Sequence, residues 1–205
     1  MSKLEILKKH IESLLDEYGI EIYFNSETIC IKCKKLYVKK IIKFLKEDTN
    51  CLYSQLIDVT VVDYINKQQR FEIIYNLLSH KNNTRLLLKT SIRESENIES
   101  ICNIFPAANW YERECYDLFG VIFDDHPDLR RIMTDYNFVG HPLRKDFPLT
   151  GHTEVRYDNL QKKVIYEPVK LQQEYRNFDY TSPWEGFSKE LINKDNMTDI
   201  ENGSE

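Results

Sequence analysis

Cys30 and Cys33 have the C-x-x-C spacing of zinc knuckles and dithiol redox sites. No second cysteine pair or histidine pair completes a zinc set, and the two lie in the strand-like run TICIKC, where positions three apart point to opposite faces. A structural role is the simpler reading. Cys51, Cys102 and Cys115 stand alone and read as small core residues. The compact run of about four thiolates that an iron–sulfur cluster needs is absent from the sequence. The second chemical candidate is Glu112-Arg113-Glu114 with Asp117 and His126, since carboxylates beside an imidazole suit a metal or acid–base work. On a helix, Glu112 and Glu114 lie about 200° apart. Glu114 and Asp117 flank Arg113 on one edge, so an ion-paired edge is the more economical use. His126-Pro127 and His141-Pro142 are turn-like dipeptides. Arg130-Arg131 and Arg144-Lys145-Asp146 suit an anion, yet set among aromatics and acids they have the composition of protein interface hot spots.

The elements that must position these residues form an α+β pattern. Leu4, Leu7, Ile11, Leu14, Leu15 and Tyr18 make one helical stripe that Gly19 stops. Two short strands follow, at 20–24 and 28–33. A second stripe, Tyr37, Val38, Ile41, Ile42 and Leu45, ends near 48–50. Three strand-like runs then occupy 55–64, 70–79 and 84–92. The order helix, two strands, helix, three strands, helix predicts an antiparallel or mixed sheet with helices on one face. Residues 95–119 read as helix in two pieces broken at Pro106. In the second piece Asn109 caps, Glu112 reaches back to it, and Gly120 supplies a left-handed stop. The helical angle places Trp110, Tyr111, Cys115, Leu118 and Phe119 on a packed side, with Arg113, Tyr116 and Asp117 on the other.

Beyond Gly120 the character changes. All six prolines lie between Pro106 and Pro183, and residues 121–187 carry eleven aromatics with no sustained period apart from short pieces such as KKVIYEP. So long an irregular stretch is uncommon in a compact domain, and this one is too aromatic for a disordered chain. The expectation is an α+β domain over 1–120, an extended partner-docking arm over 121–187 and a polar, disordered tail over 188–205.

Composition narrows the function classes. The chain has 205 residues, a formal net charge of -5 and 41% hydrophobic residues, enough for one core or two small ones. The acidic balance argues against nucleic acid as a partner. The longest stretch free of charge runs from Ser100 to Tyr111, far short of the about 20 apolar residues of a membrane-spanning helix. Acids among the first lysines read as neither a secretory signal nor a transit peptide. Five cysteines fit a reducing compartment.

The stretch ANWYERECYDLFGVIFDDHPDLRRIMTDYNFVGHPLRKDFPLTGHTEVRYD closely resembles the signature region of the C, or thirty-kilodalton, subunit of proton-pumping NADH:quinone oxidoreductase, respiratory complex I. It takes in Glu112, Arg113, Glu114, Asp117, Phe119 and Gly120, then HPDLRR at 126–131, GHPLRKDFP at 140–148 and RYD at 156–158. It continues through YEPV at 166–169 to FDYTSPWEGF at 178–187, with Cys115, Met133 and Asn137 as mild departures. The resemblance implies a non-catalytic subunit that binds no cofactor itself, with FMN and iron–sulfur clusters in partner subunits. It also implies an arm that wraps the neighbouring D subunit, and a peripheral position on the cytoplasmic side of the bacterial inner membrane through the complex. Carried over, Glu112, Arg113, Glu114, Asp117, Arg130, Arg131, Arg144, Lys145, Asp146 and Trp184 become interface or structural residues, and none becomes catalytic or a metal ligand. Three alternatives stay open: the equivalent subunit of a membrane-bound hydrogenase or ferredoxin-fed dehydrogenase, a free-standing carboxylate- or metal-dependent enzyme built on Glu112, Glu114 and His126, and a thiol redox protein using Cys30 and Cys33.

Overall fold

The computed structural model describes residues 3–26, 28–171, 173, 176 and 178. Helix α1 (Lys3–Leu15) buries Leu7, Ile11 and Leu15, a spacing of four that keeps them on one stripe. A 3-10 turn, Asp16–Tyr18, ends at left-handed Gly19. Helix α2 (Val38–Glu47) buries Val38, Ile41, Ile42 and Leu45 and stops at Asp48, whose backbone N–H still reaches the Phe44 carbonyl.

Five strands, β1 (Glu21–Asn25), β2 (Thr28–Cys33), β3 (Gln55–Asp63), β4 (Phe71–Ser79) and β5 (Thr84–Ile92), form one sheet in the order β1-β2-β5-β4-β3. All neighbours are antiparallel except β2 and β5. Strands β4 and β5 bury every second residue. The register aligns Val61 with Ile73, Val59 with Tyr75, Tyr75 with Leu88 and Leu88 with Ile31, so one face is continuously apolar. That face shares a single core with α1, α2 and a third helix, α3 (Ala108–Phe119). The expected α+β order and the mixed sheet are both present.

Residues 95–107 differ from the expected first helical piece. They form a short strand, β6 (Ile98–Glu99), paired in parallel with β7 (Phe123–Asp124), and then turns up to Ala107. The pairing commits the amides of Ile98 and Ser100 to the carbonyls of Ile122 and Asp124, leaving no free ladder for a helix.

Helix α3 also lacks the capping box. Its cap position is Ala107 without a side-chain bond, Asn109 sits inside the first turn, and the amides of Ala108 and Asn109 find the carbonyls of Phe105 and Pro106. The inward row is Ala108, Glu112, Cys115 and Phe119, with Trp110 66% exposed. Asp117, assigned by angle to the opposite side, is fully buried because residues 130–134 cover that side as well.

The arm is irregular from Val121 to His152 apart from β7. It then forms a hairpin, β8 (Thr153–Asp158) with β9 (Lys163–Pro168). Of the two strands, only β9 coincides with a piece that the sequence marks. The turn between them is held by Asp158, whose carboxylate accepts from the Leu160 amide at 2.8 Å, and by Lys162 at a positive φ of 51°.

Candidate functional site

Helix α3 fastens the arm through Asp117. Oδ2 accepts from the amides of Ile132 at 3.0 Å, Met133 at 2.7 Å and Thr134 at 2.8 Å, and Oδ1 accepts from Arg131 Nη1 at 2.7 Å and from the Thr134 hydroxyl. Burial alone pushes such a carboxyl up, but the donors from Thr134, Arg131 and Ile132 outweigh it and hold Asp117 well below the usual carboxylate range. One turn earlier on the helix, Arg113 donates to the carbonyls of Arg130 and Arg131 at 3.1 and 3.0 Å. Past the helix end, Arg131 Nη2 reaches the Gly140 carbonyl and His141 Nδ1 donates to the Asp117 carbonyl at 2.9 Å. Gly120 permits this closeness. Its φ is +81°, and a Cβ there would lie 2.7 Å from His141 Nε2.

A second latch joins the arm to the end of the sheet. Arg70 forks onto Asp63 at 2.8 and 2.9 Å and onto Asp146 at 2.8 and 3.1 Å, and its Nη1 also meets Glu94 at 3.1 Å. Arg144 pairs with the same Glu94, and the Lys145 amide donates to Asp63 Oδ2 at 2.8 Å. The guanidinium of Arg70 holds Asp63 and Asp146 below their ordinary range. Both Arg70 and Arg144 lie 5.2 Å from the Phe71 ring centre.

The structure brings Glu112 and His126 together, with Cys102 beside them and Glu114 exposed elsewhere on the helix. The three ligand atoms lie within 4.8 Å of one another. Their lone pairs and protons are already committed. Glu112 accepts from the Ile101 amide at 2.8 Å and the Ser100 hydroxyl at 2.6 Å. His126 Nδ1 accepts the Asp128 amide, so Nε2 carries the proton and gives it to the Asn109 carbonyl at 3.1 Å rather than offering a lone pair to a cation. Burial raises Glu112 and pushes the Cys102 thiol up to about 11, opposite to what a reactive thiolate needs. The group is a hydrogen-bonded wall behind α3. His10, Asp48 and Cys51 form a similar trio, in which Asp48 accepts the Asn50 and Cys51 amides beyond the end of α2.

Cys30 and Cys33 point to opposite faces of β2: Cys33 lies in the core and Cys30 pairs with Leu87 behind it. Burial raises both thiols, Cys33 to about 12. Of the other residues singled out, Arg130 is exposed beside Asp128 at 2.9 Å, the side chains of Lys145 and Glu114 are exposed, and Trp184 lies outside the described residues, as does the tail at 188–205. Sequence reasoning missed Asp63, Arg70 and Glu94. The signal was available: Asp63 continues the inward phase of Val59 and Val61, and a carboxylate at a core position requires a cation.

The latches lie within a recognisable segment. Residues 31–153, more than half of the chain, match the family model described as respiratory-chain NADH dehydrogenase, 30 Kd subunit. The chain belongs to this family. The match reaches back from the motif-rich region to the second strand, so both latches fall inside it. The 30 kDa family relatives include the C subunit of NADH-quinone oxidoreductase from Ruegeria sp. (strain TM1040), 54% identical over 156 residues, which are 76% of this chain and 78% of that one. The protein of the same name from Xanthobacter autotrophicus is 55% identical over 183 residues, 89% of this chain and 88% of its own. A chain of the membrane-bound sulfane sulfur reductase, an archaeal respiratory membrane complex, is similar with a TM-score of 0.63 at 25% identity, over 72% of this chain and 87% of that chain. Among the described residues of this 30 kDa family member, no helix is long and apolar enough to cross a membrane.

Proposed function

We propose that this chain is a structural subunit of the peripheral arm of proton-translocating NADH:quinone oxidoreductase, binding no cofactor and carrying no catalytic residue. It holds the quinone-reducing module together while electrons pass from NADH through FMN and iron–sulfur clusters in other subunits to quinone. Its chief partner is the D subunit, and it sits peripherally on the cytoplasmic side of the inner membrane through its partners.

The observation that carries this reading, beside the family, is the division of the arm. The charges of Asp117, Arg131, Arg144 and Asp146 are spent within the chain, whereas Met133, Tyr136, Val139, Leu149 and Leu160 stand 65 to 95% exposed. Five large apolar side chains left this exposed along one arm are what association with another protein would cover. The likeness to the sulfane sulfur reductase chain supports a second reading, the equivalent subunit of a related membrane complex, but at 25% identity against 54%.

Affinity purification from detergent-solubilised membranes separates these readings by what co-elutes. Glu114→Ala and Arg130→Ala, both at exposed positions, are expected to lower the yield of assembled enzyme more than the turnover of each assembled molecule. Normal assembly with lost quinone reduction would assign the chain a direct chemical role instead.

A further inference from the structure

The register of the β8–β9 hairpin sorts its side chains into two unlike faces. Thr153 with Pro168, Val155 with Tyr166 and Tyr157 with Val164 form one face; Glu154 with Glu167, Arg156 with Ile165 and Asp158 with Lys163 form the other. The second face is satisfied locally, with Arg156 forked onto Glu167 at 3.0 and 3.3 Å. The first carries no charge, and its four large side chains, Val155, Tyr157, Val164 and Tyr166, are 54 to 62% exposed.

At one end this apolar face runs into a cavity of about 460 Å³, where Val155 and Tyr166 meet Phe138, Val139 and Phe147. The cavity walls are fixed. The Tyr166 hydroxyl donates to Asp135 at 2.8 Å, Phe138 and Phe147 pack 5.8 Å apart, and Gly140, at φ +96°, lets the chain press so close that a Cβ would meet Phe147 at 2.9 Å.

We propose that this face and its cavity seat an uncharged, apolar surface of a neighbouring subunit, one large apolar side chain of which fills the cavity. The inference rests on the subunit reading above. A two-stranded ribbon is marginal in water and needs a covering layer. Charge complementarity selects the layer: a charged partner group placed on the strand face would lose its hydration with no counter-charge there on either strand, and of the rest of the cavity's lining only Asp135, which accepts the Tyr166 hydroxyl, and His152 are ionisable. Val139, 80% exposed, also lines the cavity, so the apolar surface extends from the hairpin onto the irregular part of the arm.

The test uses the whole complex. A photo-reactive phenylalanine analogue placed at Tyr157 or Val164, and at Lys163 on the opposite face, is irradiated in native membranes and its adducts are mapped. Adducts from 157 and 164 are expected on an uncharged segment of another subunit, with few from 163. Adducts on this chain's own residues 172–205, on a second copy, or equally from both faces overturn the proposal. In parallel, Tyr157→Glu and Val164→Lys are expected to leave the melting temperature of the purified chain unchanged and to lower assembled complex about tenfold or more, with Lys163→Glu assembling as wild type. Hairpin variants that assemble as well as wild type overturn this inference alone; wild-type chain that co-elutes with no oxidoreductase subunit overturns the subunit reading as well.

Discussion

Replacing Asp117 by alanine removes the acceptor for five donors at once: three consecutive amides, a hydroxyl and a guanidinium. Removing one partner of a buried ion pair costs about 3–5 kcal/mol. Ile132 and Thr134 are half-buried and Met133 is exposed, so water reaches part of the freed segment and the loss falls near the lower limit. At about 2–4 °C per kcal/mol for a chain of this size, Asp117→Ala lowers the melting temperature by roughly 6–12 °C. Asp117→Asn keeps one oxygen for the amides but turns its NH2 toward Arg131 and Thr134, and falls between the two. Glu114→Ala, three residues away and exposed, stays within about 0.5 kcal/mol of wild type. Thermal unfolding followed by circular dichroism measures the global effect, and hydrogen exchange at residues 132–134 detects local release of the arm. An Asp117→Ala chain with unchanged melting temperature and unchanged protection at those amides refutes the latch.

Two further substitutions probe the same attachments. Gly120→Ala strains a left-handed backbone and drives a methyl into the His141 ring, which is held by the Asp117 carbonyl; a loss of about 2 kcal/mol is expected by denaturant titration. Arg70→Lys loses the fork that bridges Asp63, Asp146 and Glu94, since an ammonium cannot span three carboxylates. Asp63 and Asp146 have folded pKa values below their unfolded ones, so their stability is present above the ordinary Asp value of about 3.9 and is lost as pH falls through the depressed values. Weakening that depression lowers stability at neutral pH and moves the onset of acid unfolding of Arg70→Lys upward, measured by tryptophan fluorescence against pH; an unmoved onset assigns the acid sensitivity to other groups.

The sheet and its first two helices were legible because a single buried face imposes a period. TRLLLKTSI buries every second residue, TICIKC places Ile29, Ile31 and Cys33 toward the core with Cys30 covered on the other face, and both strands run over the residues that the sequence marks. Residues 95–107 were not legible, since their strand is specified by a partner more than twenty positions later and not by a local pattern. Glu112 followed the same logic. Its spacing from Asn109 suits a capping box, but a fully buried carboxylate goes to the donors that the tertiary fold brings, here Ser100 and Ile101. Strand β8 was missed although Glu154, Arg156 and Asp158 alternate with Val155 and Tyr157: one short alternating run is a weak signal alone, and it becomes plain only when TEVRYD is laid antiparallel to KVIYEP. Among the ion pairs, Arg70 with Asp146 spans 76 positions, beyond the reach of any spacing argument.

The placement of the two latches bears on how the arm binds. One lies on α3 and the other at the junction of β3 and β4, so residues 121–146 are tethered in the middle, at 131–134, and at the far end, at 145–146, to elements of the same core. Ordering that segment costs conformational entropy, which falls on the folding of the chain and not on its association with a partner. The hairpin that follows has no comparable ion-pair anchor to the sheet among the described residues; the Tyr166 hydroxyl ties it to Asp135, within the arm itself. In the proposed docking a partner therefore meets a segment already fixed in direction, carrying an exposed apolar face at its end. Had the charges at 117, 131, 144 and 146 faced outward, the interface would have gained register from ion pairs that are weak at an exposed rim and sensitive to salt. With them turned inward, ion pairing sets the direction of the arm, and in the docking proposed above apolar burial supplies most of the attachment, so the two contributions fall largely on different residues and separate by mutation.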